Sequence, residues 1–201
     1  MTATISIIDD DPDVRHALRS LLASNGYSAQ DFPSARSFLD SAEREGFACV
    51  LTDVRMPDMD GVELLIAMRA AHMTAPVLVM TAFADVPLAI KVMKQGAVDL
   101  LEKPFDSTIL LAAVRTALAK GEDSREREAE IRSIRKKLDT LTPREHDVLS
   151  GLLAGRPNKI IAYELGVGTR TVESHRAAVM EKMGADSLSE LVRMSLIAGH
   201  G

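Results

Sequence analysis

Cys49-Val50-Leu51-Thr52-Asp53-Val54-Arg55-Met56-Pro57 runs through small and β-branched residues straight into a lone carboxylate. A continuous apolar run is the pattern of a parallel strand covered on both faces, and Met56-Pro57 ends it soon afterwards. In a doubly wound α/β sheet, chemistry gathers just beyond the carboxyl ends of the strands. Asp53 is therefore expected at the mouth of such a sheet, exposed enough to react.

The flanking sequence repeats the same unit. Thr4-Ile5-Ser6-Ile7-Ile8 is a short apolar strand that runs into Asp9-Asp10-Asp11, and Pro12 suits the first turn of a helix. Val14, Leu18, Leu21 and Leu22 recur at helical spacing until Asn25-Gly26 closes that helix. A weaker strand is predicted over 27–32 and a helix over 34–43. Beyond the Asp53 strand, Asp60-Gly61 opens a helix, and Pro76-Val77-Leu78-Val79-Met80-Thr81 is a fourth strand followed by a helix over 87–94. Val98-Asp99-Leu100-Leu101-Glu102 is the fifth, with a helix over 107–120 behind it. Five strand–helix units imply an α/β fold: a five-stranded parallel sheet, doubly wound, with helices on both faces.

The strand ends then hold Asp9 and Asp10 after the first, Asp53 after the third, Thr81 after the fourth and Lys103 after the fifth. Converging carboxylates raise one another's pKa unless a cation joins them. An all-oxygen cluster suits Mg²⁺, which keeps several waters and takes few carboxylates. A hydroxyl and an ammonium at the same rim suit phosphoryl oxygens, and an Asp carboxylate is a known covalent phosphoryl acceptor. Each residue alone is weak evidence, whereas five at matching strand ends are specific. Asp11 reads as a helix N-cap ahead of Pro12 rather than a ligand.

Ile8-Asp9-Asp10-Asp11, Thr52-Asp53-Val54-Arg55-Met56-Pro57, Asp60-Gly61, Met80-Thr81-Ala82 and Glu102-Lys103-Pro104-Phe105 together resemble the receiver domain of two-component response regulators, over residues 3–121. The resemblance implies a flavodoxin- or CheY-like receiver in which Asp53 accepts a phosphoryl group from a sensor histidine kinase. It also implies that Asp10, Asp53 and the main-chain carbonyl of Arg55 hold Mg²⁺, with Asp9 acting through water. Thr81 and Lys103 are implied to contact the phosphoryl group, and Lys103-Pro104 to be a cis peptide. One departure is Leu100, where many receivers carry Tyr or Phe. Phe83 is the candidate substitute, with ordinary packing as its other reading.

Composition is that of a globular chain: 201 residues, 46% hydrophobic and 26% charged. No apolar run approaches the roughly 20 residues that span a bilayer, and the first residues carry no basic segment, so a cytoplasmic protein without membrane association is expected. Cys49 is the single cysteine and reads as a core thiol. The net charge of −5 lies wholly in residues 1–121, which hold 11 Lys/Arg against 16 Asp/Glu. Residues 122–139 (6 against 6) and 140–201 (7 against 7) are neutral, so a case for DNA binding rests on motif rather than on charge.

These segments are the expected domains: 1–121, a charged helical linker over 122–139, and 140–201. In the linker, alternating charges suit a solvated helix. Ile131, Ile134, Leu138 and Leu141 form a 3-4-3 stripe that either packs on the next domain, the preferred reading, or seeds a dimeric coil. Next, Thr142-Pro143-Arg144-Glu145 is a capping box. Val148, Leu149, Leu152 and Leu153 line its helix, Asn158-Lys159 opens another, and Gly166-Val167-Gly168 turns into a third helix over 169–183 with Val172, Val179 and Met183 inside. Ser187 caps a fourth. The plan is a small all-α helix-turn-helix domain.

Leu141-Thr142-Pro143-Arg144-Glu145, Asn158-Lys159-Ile160-Ile161-Ala162 and Thr171-Val172-Glu173-Ser174-His175 resemble the LuxR-type DNA-binding domain, and the whole chain resembles FixJ-type response regulators. The resemblance implies that the 169–183 helix enters the major groove of double-stranded DNA. Arg170, Glu173, Ser174 and Ala177 share one face and are the expected base readers. Asn158, Lys159, Thr171, Arg176 and Lys182 are the expected phosphate contacts, and His175 is expected to pack or touch phosphate. The expected function is phosphorylation-dependent transcriptional regulation by a homodimer on promoter half-sites about 10 bp apart, with RNA polymerase as a further partner. No enzymatic activity is expected beyond slow autodephosphorylation. The alternatives are a regulator independent of phosphorylation, and a Mg²⁺-dependent aspartyl-phosphate hydrolase. The latter usually places a second Asp two residues past the nucleophile, where this chain has Arg55.

Overall fold

Five parallel strands, β1 (Thr4–Ile8), β2 (Ser28–Phe32), β3 (Cys49–Asp53), β4 (Val77–Thr81) and β5 (Asp99–Glu102), form one sheet in the order β2-β1-β3-β4-β5. The computed structural model describes residues 3–41 and 46–199. Register sets Ile8 beside Thr52, Asp53 beside Met80, and Thr81 beside Glu102, so the carboxyl ends of the strands stand level. This is the sheet that the strand–helix repeat predicts.

Alternation along the strands feeds two cores. Ile5, Ile7, Leu51, Leu78 and Met80 face α1 (Pro12–Ser24) and α5 (Ser107–Leu138), meeting Leu18, Leu22, Leu110 and Val114. Ile8, Val50, Val77 and Val79 meet Phe38 of α2 (Ala35–Leu39), Leu64, Leu65 and Met68 of α3 (Gly61–Ala70), and Val92 of α4 (Val86–Lys94). Each such side chain, fully buried, stabilises the fold by about 1.5–3 kcal/mol. Asp11, Ser34, Asp60 and Asp85 accept main-chain N–H bonds at the starts of the first four helices. Cys49 is buried, and burial pushes its thiol up to about 12, which suits a core residue.

Two element boundaries differ from the sequence reading by more than one residue. α2 ends at Leu39 rather than reaching residue 43; positions 42 and 43 lie outside the described residues. α5 continues to Leu138 instead of ending near 120. Gly121 does not break it because it serves close packing: a Cβ there would lie 3.1 Å from Pro76 Cγ and 3.4 Å from the Ala48 carbonyl oxygen.

The chain divides into two compact units, Met1–Arg125 and Glu126–Gly201. The second contains α6 (Pro143–Leu153), α7 (Asn158–Leu165), α8 (Thr169–Met183) and α9 (Leu188–Ile197). Ile134, Leu138 and Leu141 are buried in its core with Val148, Ile161, Val172, Val179, Met183 and Leu191. The apolar stripe therefore packs within the second unit, the preferred of its two readings. Gly166, at φ 66, ends α7 in the left-handed region and makes the tight turn towards α8.

Candidate functional site

At the carboxyl edge of the sheet, Lys103 Nζ donates to Asp53 Oδ1 at 2.5 Å and to Asp9 Oδ2 at 2.7 Å. Asp53 Oδ2 accepts from the Arg55 N–H at 2.6 Å, and Asp9 Oδ1 accepts from the Asp11 N–H at 2.9 Å. Burial pushes the Asp53 carboxyl above the usual carboxylate range, further than the Lys103 bond draws it down. Burial alone would depress the Lys103 ammonium, but its bonds to Asp53 and Asp9 outweigh this and its pKa is raised. Lys103-Pro104 is a cis peptide.

Asp53 is more enclosed than the sequence suggests. It is 8% exposed, because β3 is buried at every position, and 11% of its side-chain surface still reaches solvent. Thr81 is buried beside it in the sheet edge. Its Oγ1 accepts from the Phe83 N–H at 3.2 Å and donates to the Phe83 carbonyl at 3.1 Å. Phe83 itself is 61% exposed, and Leu100 packs half-buried against the second core face.

The three acids at the strand ends are held differently. Asp9 and Asp53 share the Lys103 ammonium, whereas Asp10 is exposed, and no group of three His, Cys, Asp or Glu residues is gathered to hold a metal among the described residues. Lys103 supplies one positive charge to the two buried carboxylates. The donors still fit a hard cation in type. They are carboxylate and main-chain oxygens at one sheet edge, and Mg²⁺ needs only one or two carboxylates with water completing its shell.

Arg15 escaped the sequence reading. Its guanidinium donates to the Asp9 and Asp10 carbonyls and to the Asp31 carboxylate. No motif marks it, since its partners are main-chain oxygens and a residue on another strand.

In the second unit, Arg170, Thr171, Glu173, Ser174 and Ala177 of α8 are exposed, opposite buried Val172, Val179 and Met183. Lys159 is exposed, and Asn158, His175 and Arg176 are half-buried. Asn158 and Arg176 line an open cleft of about 400 Å³ together with Arg156, whose Nη1 lies 2.6 Å from Glu164 Oε2. Arg156 was not foreseen, because its position in this cleft depends on how α7 and α8 meet. No side chain caps the start of α7, which leaves its first N–H groups open to an anion.

Lys182 is a correction to the expected phosphate contacts. Its Nζ lies 2.7 Å from Glu145 Oε2 and 3.3 Å from the Thr140 carbonyl oxygen, so it ties α8 to the start of α6. Glu145 is 6% exposed, and the same Oε2 accepts from the Thr142 N–H at 2.8 Å. The Lys182 bond, with the Thr142 N–H behind it, draws the Glu145 carboxyl below its usual value. The capping box flagged Glu145 in the sequence, but not its partner.

The model of the response regulator receiver domain matches residues 5–115, and that of bacterial regulatory proteins of the luxR family matches residues 139–195. The chain is 47% identical over 195 residues to the transcriptional regulatory protein FixJ of Bradyrhizobium diazoefficiens, covering 97% of this chain and 95% of that one. Among solved structures, the response regulator StyR superposes with a TM-score of 0.84 at 35% identity, over 98% of this chain and 99% of that one. Full-length FixJ from B. japonicum superposes at 0.61 with 46% identity, over 99% and 98%. Among the described residues, no helix is long and apolar enough to cross a membrane.

Proposed function

The chain belongs to the FixJ-type response regulators, pairing a receiver domain with a LuxR-type DNA-binding domain, and from that premise we propose that Asp53 is the residue phosphorylated and that its modification controls DNA binding by α8. One observation carries this reading. Asp53 and Asp9 meet a single ammonium, that of Lys103, at the carboxyl edge of a parallel sheet, with the Thr81 hydroxyl in the same edge. That edge is where such sheets do their chemistry.

In this reading a sensor histidine kinase supplies the phosphoryl group. Asp10, Asp53 and the Arg55 carbonyl hold Mg²⁺, with Asp9 reached through water. The ion, when bound, screens the charge between acceptor and donor. Lys103 and Thr81 orient the phosphoryl oxygens, and the cluster that encloses Asp53 excludes bulk water from the adduct. Phosphorylation adds about −1.5 to −2 of charge at this edge. That change favours a homodimer whose two α8 helices read half-sites about 10 bp apart and present the promoter to RNA polymerase. Arg170, Glu173, Ser174 and Ala177 face the bases; Asn158, Lys159, Thr171, Arg176 and His175 lie along the phosphates. Residues 1–121 then form the receiver, 122–139 the connector and 140–201 the DNA-binding domain, in a protein that works in the cytoplasm.

The test uses the full chain. It is incubated with acetyl phosphate and Mg²⁺, and the modified peptide is identified by mass. Duplexes are then selected from a randomised pool, and the affinity of the selected sequence is measured with and without donor. A single adduct on Asp53, together with tighter binding that is absent in Asp53→Asn, is expected. Equal binding by both proteins in both conditions would remove the gating.

A further inference from the structure

The β1–α1 loop that carries Asp9 and Asp10 is held from below by one planar side chain. Arg15 Nη1 donates to the Asp9 carbonyl at 2.7 Å and to the Asp10 carbonyl at 3.1 Å, while its Nε donates to Asp31 Oδ2 at 3.3 Å. Asp31 belongs to β2 and is held by a second cation, Arg19 Nη1, at 3.1 Å. The Asp9 N–H donates to the Phe32 carbonyl at 3.3 Å, so loop and strand end are joined twice. The Arg15 side chain is only 15% exposed. A guanidinium of this kind is a rigid fork that keeps its geometry, unlike a free surface arginine.

The two acids above it differ in how they are held. The Asp9 carboxylate is fixed by Lys103 and by the Asp11 N–H. The Asp10 carboxylate is exposed and takes no hydrogen bond or ion pair among the described residues, so its direction is inherited from its own main chain. That main chain is what Arg15 holds.

We propose that Arg15 is a positioning residue for divalent-cation binding: its guanidinium, anchored by Asp31, orients the Asp9-Asp10 peptide so that the Asp10 carboxylate meets the cation. The inference rests on the reading of Asp10 and Asp53 as ligands of that cation. Groups that orient metal ligands from behind typically change affinity by about 10–100-fold when removed. A lysine restores the charge but not the fork, since one ammonium does not reach two carbonyls and a carboxylate together.

The experiment is calorimetric titration of MgCl₂ into full-length protein stripped with chelator, for wild type, Arg15→Met, Arg15→Lys and Asp31→Asn, with a thermal melt of each. Arg15→Met is expected to weaken Mg²⁺ binding by about tenfold or more. Arg15→Lys is expected to stay weak, and Asp31→Asn to weaken binding less while retaining its fold. A folded Arg15→Met with the wild-type Kd overturns the clamp, and so does full rescue by Arg15→Lys, which would leave charge alone as the cause. If Arg15→Met does not fold, Asp31→Asn decides, and an unchanged Kd overturns the proposal. A wild type that takes up no Mg²⁺ sinks the ligand reading beneath it, whereas a binding wild type with indifferent variants sinks only the clamp.

Discussion

Gly61→Ala tests how tightly the start of α3 is pressed against the acceptor strand. The Gly61 N–H donates to the Val54 carbonyl at 3.0 Å, and a Cβ at this position would stand 2.1 Å from the Asp53 carbonyl oxygen and 3.0 Å from its carbon. Gly61 does not occupy the left-handed region, so nothing in its own backbone resists alanine. In an open helix the exchange would be favourable by about 0.5–1 kcal/mol. Here the contact reverses the sign. Both atoms struck are main chain, so relief requires α3 and the end of β3 to part by about an ångström, and overpacking of this kind costs about 1–3 kcal/mol. The atoms that move belong to Asp53 itself, and a misplacement of about 1 Å at a reacting centre lowers rates by about 10²-fold. Urea unfolding followed by circular dichroism, and phosphoryl uptake followed by intact mass, read the two effects separately. Gly26→Ala is the control: at φ 82 with nothing within 4 Å, it loses about 1–2 kcal/mol from backbone strain and leaves uptake unchanged. A Gly61→Ala protein as stable as wild type and modified at the same rate would refute the close-approach argument.

Asp53→Asn is expected to raise the melting temperature at neutral pH in the presence of chelator. Burial holds the folded pKa above 3.8, so the carboxyl's favourable contribution is complete below 3.8 and fades as pH rises through the raised value. The gain from Asn should therefore shrink as pH falls towards 3.8, and a gain independent of pH would contradict the assignment. Ser6 is fully buried on β1 with no partner for its hydroxyl among the described residues, so Ser6→Ala should stabilise the protein by about 1 kcal/mol in urea unfolding. A lower midpoint would mean that the hydroxyl is satisfied. Lys182→Met and Glu145→Gln should weaken specific DNA binding by the same factor, with the double variant no worse than either, and leave the salt dependence unchanged. Lys159→Met should instead flatten the log–log salt slope by about 1, and a similar flattening in Lys182→Met would return Lys182 to the phosphate contacts. Because Glu145 is held below 4.5, its contribution to stability is present above that pH and lost as the pH falls.

The order of elements was legible because its signals are local. Apolar runs mark the strands, Asp11, Asp60 and Ser187 mark helix starts, and Gly166 marks the turn before α8. Each signal needs only the few residues around it. Parallel topology then brings the strand ends to one edge, which is why Lys103 and Asp9 were foreseen together although 94 residues separate them. The length of α5 was not legible for the opposite reason: Gly121, just past the expected end, is a packing residue by virtue of Pro76, which lies far away along the chain.

From the sequence alone came the sheet, the helix-turn-helix and the chemical types gathered at the strand ends, because periodicity and capping are written in neighbouring residues. Only the tertiary structure decided how deeply Asp53 is enclosed, that Arg15 grips the acidic loop through main-chain oxygens, and that Lys182 bonds to Glu145 at the start of α6. Those outcomes depend on which distant groups are brought within hydrogen-bond reach. Packing of helices on the sheet and on one another selects those partners, and no short stretch of the chain carries that information.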